Sequence, residues 1–128
     1  MNNLKDLKIW NKAVDLTTEV YEATSSFPAE ERFGLVSQIR RAAVSIPSNI
    51  AEGAGRNSAR EFSHFLGMAN GSSYELQTQL IISSKLNLLN HEVSERLLGH
   101  IEELQKMTYS FLTTLGFKSQ SSDLASPN

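Results

Sequence analysis

The amino-acid sequence predicts an all-α protein, an antiparallel up-down-up-down four-helix bundle whose second helix is kinked at a proline. Apolar residues recur every three or four positions, and no β-type alternation persists for more than a few residues. Capping and turn signals divide this pattern into four segments with short connections. With 128 residues, of which 40% are hydrophobic, the chain can bury one core and is too short for two.

The first helix is predicted from about residue 4 to residue 25. It ends where Phe27 precedes Pro28, because a residue before proline resists the α conformation. Its buried face is predicted to hold Ile9, Ala13, Leu16 and Val20, flanked by Trp10, Val14, Thr17 and Tyr21. A polar stripe runs from positive to negative along the helix, against its dipole, and this favours a complementary neighbouring helix or subunit. The stripe consists of Lys5, Lys8, Lys12, Asp15, Glu19 and Glu22.

The second helix is predicted over residues 29–54, with Glu30 and Glu31 placed well for its N-terminal dipole. The apolar period continues in phase across Pro47, so the pattern predicts one kinked helix rather than two. Two glycines, Gly53 and Gly55, mark its end. Its buried seam is predicted to comprise Phe33, Val36, Ile39, Ala43, Ile46 and Ile50.

The third helix is predicted over residues 59–88 and opens with a capping box between Ser58 and Glu61. Gly67 and Gly71 are poor helix formers, and their presence suggests a close approach between helices. The inner positions are predicted to be Phe62, Phe65, Ala69, Ser72 or Ser73, Leu76 and Leu80.

The fourth helix is predicted over residues 91–115, capped by Asn90 and stopped by Gly116. Its seam is predicted to comprise Leu97, Ile101, Leu104, Thr108, Phe111 and Leu115. Residues 1–116 therefore form the predicted bundle domain. Residues 117–128 are rich in serine and are predicted to form a disordered tail.

Composition and spacing argue against catalysis and metal binding. The chain has no cysteine, and its three histidines, His64, His91 and His100, lack the spacing that presents a metal from one helix. Glu61 and His64 form a single Glu-x-x-His motif, whereas a di-iron bundle needs two such motifs and two more glutamates. No serine, lysine or aspartate accompanies a histidine as a nucleophile–base pair. We therefore predict no enzyme activity, cofactor, metal or small-molecule substrate.

The location predicted from the sequence is the cytoplasm. The first residues lack the apolar run and cleavage site of a signal peptide. No stretch approaches the roughly 20 apolar residues that span a bilayer, so no membrane association is expected. A chain without cysteine also fits a reducing compartment.

Basic residues are concentrated in one part of the chain. Between residues 32 and 60 there are five arginines and one acid, although the net charge of the whole chain is -2. One interpretation is a patch that contacts the phosphates of RNA or DNA. The other is a set of surface or interface partners for the many glutamates. The arginines of the predicted patch are Arg40, Arg41, Arg56 and Arg60.

Polar residues also recur at helical spacing on the second helix and on one edge of the third. One interpretation is a pocket for a ligand or nucleic acid. The other is a buried network that repairs the backbone around Pro47 and fixes the helix register. The sequence favours the network, because two of its members, Glu52 and Arg56, already form an i,i+4 pair. The predicted members are Ser45, Asn49, Glu52, Arg56 and Glu75.

Three runs in the second and third helices are distinctive, namely FPAEERFGL at 27–35, SIPSNIAEG at 45–53 and ANGSSYEL at 69–76. Through them, residues 4–116 resemble the bacterial proteins encoded within intervening sequences of 23S ribosomal RNA genes. The resemblance implies a four-helix bundle that assembles into a ring-like homopentamer of undefined biochemical role. More distantly, the chain is similar to accessory proteins of diversity-generating retroelements, which are basic pentamers that bind nucleic acid. This chain departs from them in being mildly acidic, with a pI near 5.9.

Two functional hypotheses follow from the sequence. The first is a non-enzymatic assembly or binding module that forms a ring-like homo-oligomer. The alternative is a nucleic-acid-binding ring that uses the arginine patch on the second helix.

Overall fold

A computed structural model describes residues 3–116, which fold into four α-helices without a β-strand. We label them α1 (Lys8–Thr24), α2 (Leu35–Ala54), α3 (Ala59–Lys85) and α4 (His91–Thr114). Short 3-10 turns at Leu4–Asp6 and Ala29–Glu31 precede α1 and α2. The all-α prediction is thus confirmed, whereas the tail predicted at 117–128 lies outside the described residues.

Contacts between neighbouring helices occur in opposite order along the two helices, as α1 and α4 illustrate. Lys12 contacts Glu103, whereas Glu19, further along α1, contacts Arg96, which lies earlier on α4. The helices form a closed circuit in which α1 contacts α2 and α4, and α3 contacts the same two. The other neighbouring pairs show the same inverse order in the contacts Thr17–Ala43, Thr24–Arg40, Ser45–Ser72, Gly53–Phe62, Gln77–Gln105 and Phe62–Phe111.

The centre of the bundle is filled by the predicted apolar stripes. All four residues of the main α1 stripe are buried, as are the α2 residues from Val36 to Ile50 that the pattern placed inside. On α3, Leu66 is fully buried where the sequence placed Phe65, which is half-buried. Tyr21, predicted on the flank of the α1 stripe, is 41% exposed. The fully buried large side chains include Leu16, Ile39, Ile46, Leu66, Leu76, Leu80, Leu97 and Ile101.

The predicted start of the second helix, and with it the predicted burial of Phe33, is wrong. Residues 29–34 form a 3-10 turn followed by a bend, and α2 begins only at Leu35. Gly34 has φ -108° and ψ -105°, which is not helical, so the helical phase is broken between Phe33 and Val36. The Phe33 side chain is consequently 89% exposed.

Pro47 lies inside α2, and the helix continues beyond it to Ala54. Proline has no N–H, so the carbonyl of Ala43, four residues earlier, loses its helical donor. Thr17 of α1 supplies a hydroxyl at this point, with Oγ1 3.0 Å from Ala43 O and 2.8 Å from Ala13 O. A side chain of the neighbouring helix therefore supplies a hydrogen-bond donor in place of the N–H that Pro47 lacks.

The sequence suggested a close approach between helices at Gly67 and Gly71, but in the structure the close approach occurs at Gly53. A Cβ on Gly53 would lie 2.9 Å from both Phe62 Cδ1 and Phe65 Cβ. A Cβ on Gly67 or Gly71 would meet no atom within 4 Å. These two glycines face away from the bundle, and α3 ends at Lys85, three residues earlier than predicted.

Candidate interaction surface

Arg40 is held at the end of α1. Its Nε donates to Thr24 Oγ1 at 2.9 Å, and its Nη2 donates to Tyr21 O at 3.1 Å. The guanidinium carbon also lies 4.5 Å from the centre of the Tyr21 ring. A cation at a helix C-terminus satisfies free carbonyls and complements the dipole. Arg40 therefore ties α2 to α1, and its donors are directed into the protein.

Arg56 is engaged at the connection between α2 and α3. Its Nη2 lies 3.0 Å from Glu52 Oε2, and its Nη1 lies 3.8 Å from Glu61 Oε1. The guanidinium carbon also lies 4.9 Å from the centre of the Phe65 ring. The i,i+4 pair predicted from the sequence is thus present, with Glu61 as an additional acidic neighbour.

The structure does not gather the four predicted arginines into one patch. Arg41 and Arg60 are exposed and form no ion pair within residues 3–116. Arg41 lies 13 residues before the end of α2 at Ala54, a distance of about 20 Å along the helix, and Arg56 lies beyond that end. Arg40 and Arg41 therefore lie towards one end of the bundle, whereas Arg56 and Arg60 lie at the other.

The predicted polar network is divided into two separate groups. Asn49 Nδ2 donates to Ser45 O at 2.9 Å and to Ser45 Oγ at 3.0 Å. Ser45 Oγ in turn lies 2.8 Å from Ser72 Oγ on α3, so this group joins the two helices. Glu52 and Arg56 form the second group. The backbone repair at Pro47, which the sequence assigned to this network, comes from Thr17 on α1.

Glu75 belongs to neither group and borders a groove between α2 and α3. The groove has a volume of about 520 Å³, and Arg41 stands on its α2 side. Neither of these two charged side chains forms an ion pair in the described part of the chain. Phe33 forms part of the rim, and the guanidinium carbon of Arg32 lies 5.5 Å from its ring centre. The remaining lining residues are Ser37, Gln38, Ala42 and Ser45.

The outer face of α3 is almost free of charge, a feature that our sequence analysis missed. Residues 65–84 contain a single charged residue, Glu75, whereas α4 contains six. Tyr74 is 55% exposed and Ile82 is 42% exposed. The sequence shows this feature as a long run without Lys, Arg or Asp. Our sequence analysis missed it because it placed Gly67 and Gly71 on the inner side of α3. The exposed residues of this face are Gly67, Gly71, Tyr74, Thr78, Ile81 and Ile82.

The polar stripe of α1 finds its complement on α4. Lys12 Nζ lies 3.3 Å from Glu103 Oε1. Glu19 accepts from Arg96 Nε at 3.2 Å, and its other carboxylate oxygen lies 3.2 Å from His100 Nδ1. Of the two neighbours that the sequence allowed, the structure therefore identifies a helix of the same bundle, α4.

The histidines are dispersed. His64 stacks edge-on against Phe65, and His91 Nε2 lies 3.7 Å from Glu95 Oε1. Within residues 3–116, no three His, Asp or Glu side chains gather in a way that could hold a metal ion. No helix in this part of the chain is long and apolar enough to cross a membrane.

Comparison with protein families identifies the chain. Residues 5–110 match the family model described as 23S rRNA-intervening sequence protein. The chain belongs to this family. The resemblance inferred from the SIPSNIAEG run and its neighbours is thereby confirmed.

Comparison with solved structures supports the fold. The chain is similar to a protein of unknown function from the S23 ribosomal protein family of Bacteroides thetaiotaomicron VPI-5482, with a TM-score of 0.74. The alignment covers 81% of this chain and 97% of that chain, at 20% sequence identity. At this identity the similarity establishes the bundle fold. No curated protein matches the chain.

Proposed function

We propose that this member of the 23S rRNA-intervening sequence protein family is a non-enzymatic assembly module whose copies associate into a ring-like homo-oligomer. The observation that carries the proposal is the outer face of α3, which exposes Tyr74, Ile81 and Ile82 beside two glycines. Protein surfaces that exclude charge while exposing aromatic and aliphatic side chains are typical of interfaces.

The occupant of this face is a second copy of the chain. Soluble oligomers are mostly homo-oligomers with closed symmetry, and their interfaces are depleted in Lys and Glu. The two glycines of this face also destabilise α3, and nothing in the isolated subunit requires them. Each glycine inside a helix destabilises it by about 1 kcal/mol relative to alanine, and an alanine Cβ at Gly67 or Gly71 would meet no atom. Close approach of another subunit gives these glycines a role. The subunit number of five rests on the family resemblance.

The arginine arrangement gives little support to nucleic-acid binding. Arg40 and Arg56 bond to acceptors within the subunit. Arg41 and Arg60, which form no ion pair within residues 3–116, lie at different ends. The chain also has a net charge of -2, whereas non-specific binding to nucleic acid is supplied by clustered positive charge.

Sedimentation equilibrium over a range of concentrations tests the proposal. We expect one discrete species of several 14.2 kDa subunits, with five as the expected number. A monomer throughout the micromolar range would overturn the assembly proposal. Binding of duplex DNA or structured RNA that weakens steeply with salt, and is lost in Arg41→Glu and Arg60→Glu, would favour the nucleic-acid hypothesis instead.

A further inference from the structure

We infer that successive copies join through two adjacent sides of the bundle, with the α2–α3 side of one copy packed against the α3–α4 side of the next. This inference rests on the proposed self-assembly and specifies its interface. It makes the contact heterologous and brings α3, the edge that both sides share, nearest to the axis of the ring.

The α2–α3 side has the features of a receiving surface. Its groove of about 520 Å³ is bordered by Phe33, which is 89% exposed, and by the two unpaired charges Arg41 and Glu75. An aromatic side chain left in water gives up the burial that normally stabilises it. Nothing in the described part of the chain covers Phe33 except the guanidinium of Arg32. Burial against a second copy would recover this free energy.

The α3–α4 side presents a complementary surface. Gln105 marks the α4 residues that face α3, because its Nε2 donates to Gln77 Oε1 of α3 at 3.0 Å and to Ser73 Oγ of α3 at 3.2 Å. Glu102 and Tyr109 are three residues before and four after Gln105, so they adjoin this side of α4. Both are exposed, Tyr109 to 52%.

The charges on the two sides are of opposite sign where α2 meets α4 of the next copy. Arg41 projects from α2 and Glu102 from α4, and neither forms an ion pair in its own subunit within residues 3–116. On the axis side of this pair, the uncharged face of α3 is carried by both copies. An apolar contact with complementary charges beside it is typical of an interface.

The angle between the two sides accounts for a closed ring of few copies. Adjacent sides of a bundle of four nearly parallel helices meet at about 90°. Contacts on adjacent sides rotate each copy relative to the last, and a rotation of about 90° closes a ring of four copies, whereas five copies require the contact to narrow the rotation to about 72°. Contacts on opposite sides would instead build an open filament.

Cross-linking tests this arrangement directly, because the chain contains no cysteine. The double variant Arg41→Cys/Glu102→Cys is treated with a short bis-maleimide under conditions where sedimentation shows the oligomer. We expect a ladder of covalent species that ends at the full subunit number. Each single variant cannot pass the dimer, because one cysteine per chain allows one link, and it should stay mostly monomeric because a heterologous contact brings unlike positions together. The control Arg41→Cys/Thr18→Cys, with the second cysteine on the exposed side of α1, should give no ladder.

The outcomes separate this inference from the proposed function. A double variant that remains oligomeric but gives no ladder would overturn the pairing of sides and leave self-assembly standing. A ladder that stops at the dimer would indicate a two-fold contact and would also overturn the inference. A wild-type protein that sediments as a monomer overturns the proposed function itself, and with it the inference.

Discussion

The hydroxyl of Thr17 on α1 lies 3.0 Å from the carbonyl oxygen of Ala43, the backbone acceptor that Pro47 leaves without its helical donor. The same hydroxyl is 2.8 Å from Ala13 O, so its single proton is shared between its own helix and the next. A proline in the middle of a helix costs about 3 kcal/mol or more. Here part of that cost is offset by a donor that only the tertiary structure brings into place. Thr17 and Pro47 are therefore coupled although they are 30 residues apart.

Thr17→Val should reduce the free energy of unfolding by about 1–3 kcal/mol, because valine keeps the shape and leaves the Ala43 carbonyl without a donor. In a Pro47→Ala background the helical N–H is restored, and the cost of Thr17→Val should shrink by about 1 kcal/mol. A double-mutant cycle from urea denaturation measures this coupling. Additive effects of the two substitutions would contradict the role assigned to Thr17.

Gly53→Ala should destabilise the protein by about 1–3 kcal/mol, as expected for overpacking. Its Cβ would lie 2.9 Å from Phe62 Cδ1 and 3.2 Å from the Phe62 carbonyl oxygen. Gly99→Ala is the matched control, because Gly99 is inside α4 and a Cβ there meets no atom within 4 Å. The control should gain up to about 1 kcal/mol from helix propensity. Thermal unfolding of both variants compares the two, and equal midpoints would show that the Gly53 contact is not tight.

Much of the fold could be predicted because the relevant physics is local. A buried stripe such as that of Ile9, Ala13 and Leu16 follows from a period of 3.6 residues, and the cap at Ser58 follows from one side chain. The exposure of Phe33 could not be predicted in this way. Its apolar phase matches α2, but the bend at Gly34 separates it from the helix.

The interaction surface was harder to predict because its evidence is an absence of charge. The run from 65 to 84 is readable in the sequence, yet Gly67 and Gly71 could equally face a helix of the same bundle. Which side of α3 they occupy depends on how the whole helix is rotated against α2 and α4. The position of Arg40 is similar, since its contacts with Thr24 and Tyr21 require the packed pair α1–α2.

Two neighbouring arginines should respond differently to truncation. Arg40→Ala removes the hydrogen bonds to Thr24 and Tyr21 and the stacking on the Tyr21 ring, and we expect a loss of about 1–2 kcal/mol. Arg41→Ala removes an exposed charge that has no ion-pair partner within its own subunit, and at concentrations where the subunits are dissociated it should change the free energy of unfolding by less than about 0.5 kcal/mol. Urea denaturation of both variants under matched conditions measures the difference. Similar losses would mean that Arg40 does not tie α2 to α1.

The uncharged face of α3 can be tested by adding one charge. Gly71→Lys should leave the isolated subunit as stable as before or stabilise it by up to about 1 kcal/mol, because lysine is a good helix former and the site is open. Association should nevertheless fall by at least tenfold, since an unpaired charge would be buried between copies, and tenfold corresponds to about 1.4 kcal/mol. Thr18→Lys adds the same side chain on the exposed side of α1, the helix that packs against α2 and α4 rather than α3, and should leave association unchanged.

Sedimentation gives the association constant and circular dichroism gives the helix content of each variant. A Gly71→Lys variant that is folded and associates as well as Thr18→Lys would show that α3 does not form the interface. A folded monomer with the control still assembled would identify Gly71 as a contact position, because only burial by another copy makes a charge costly at an otherwise empty site.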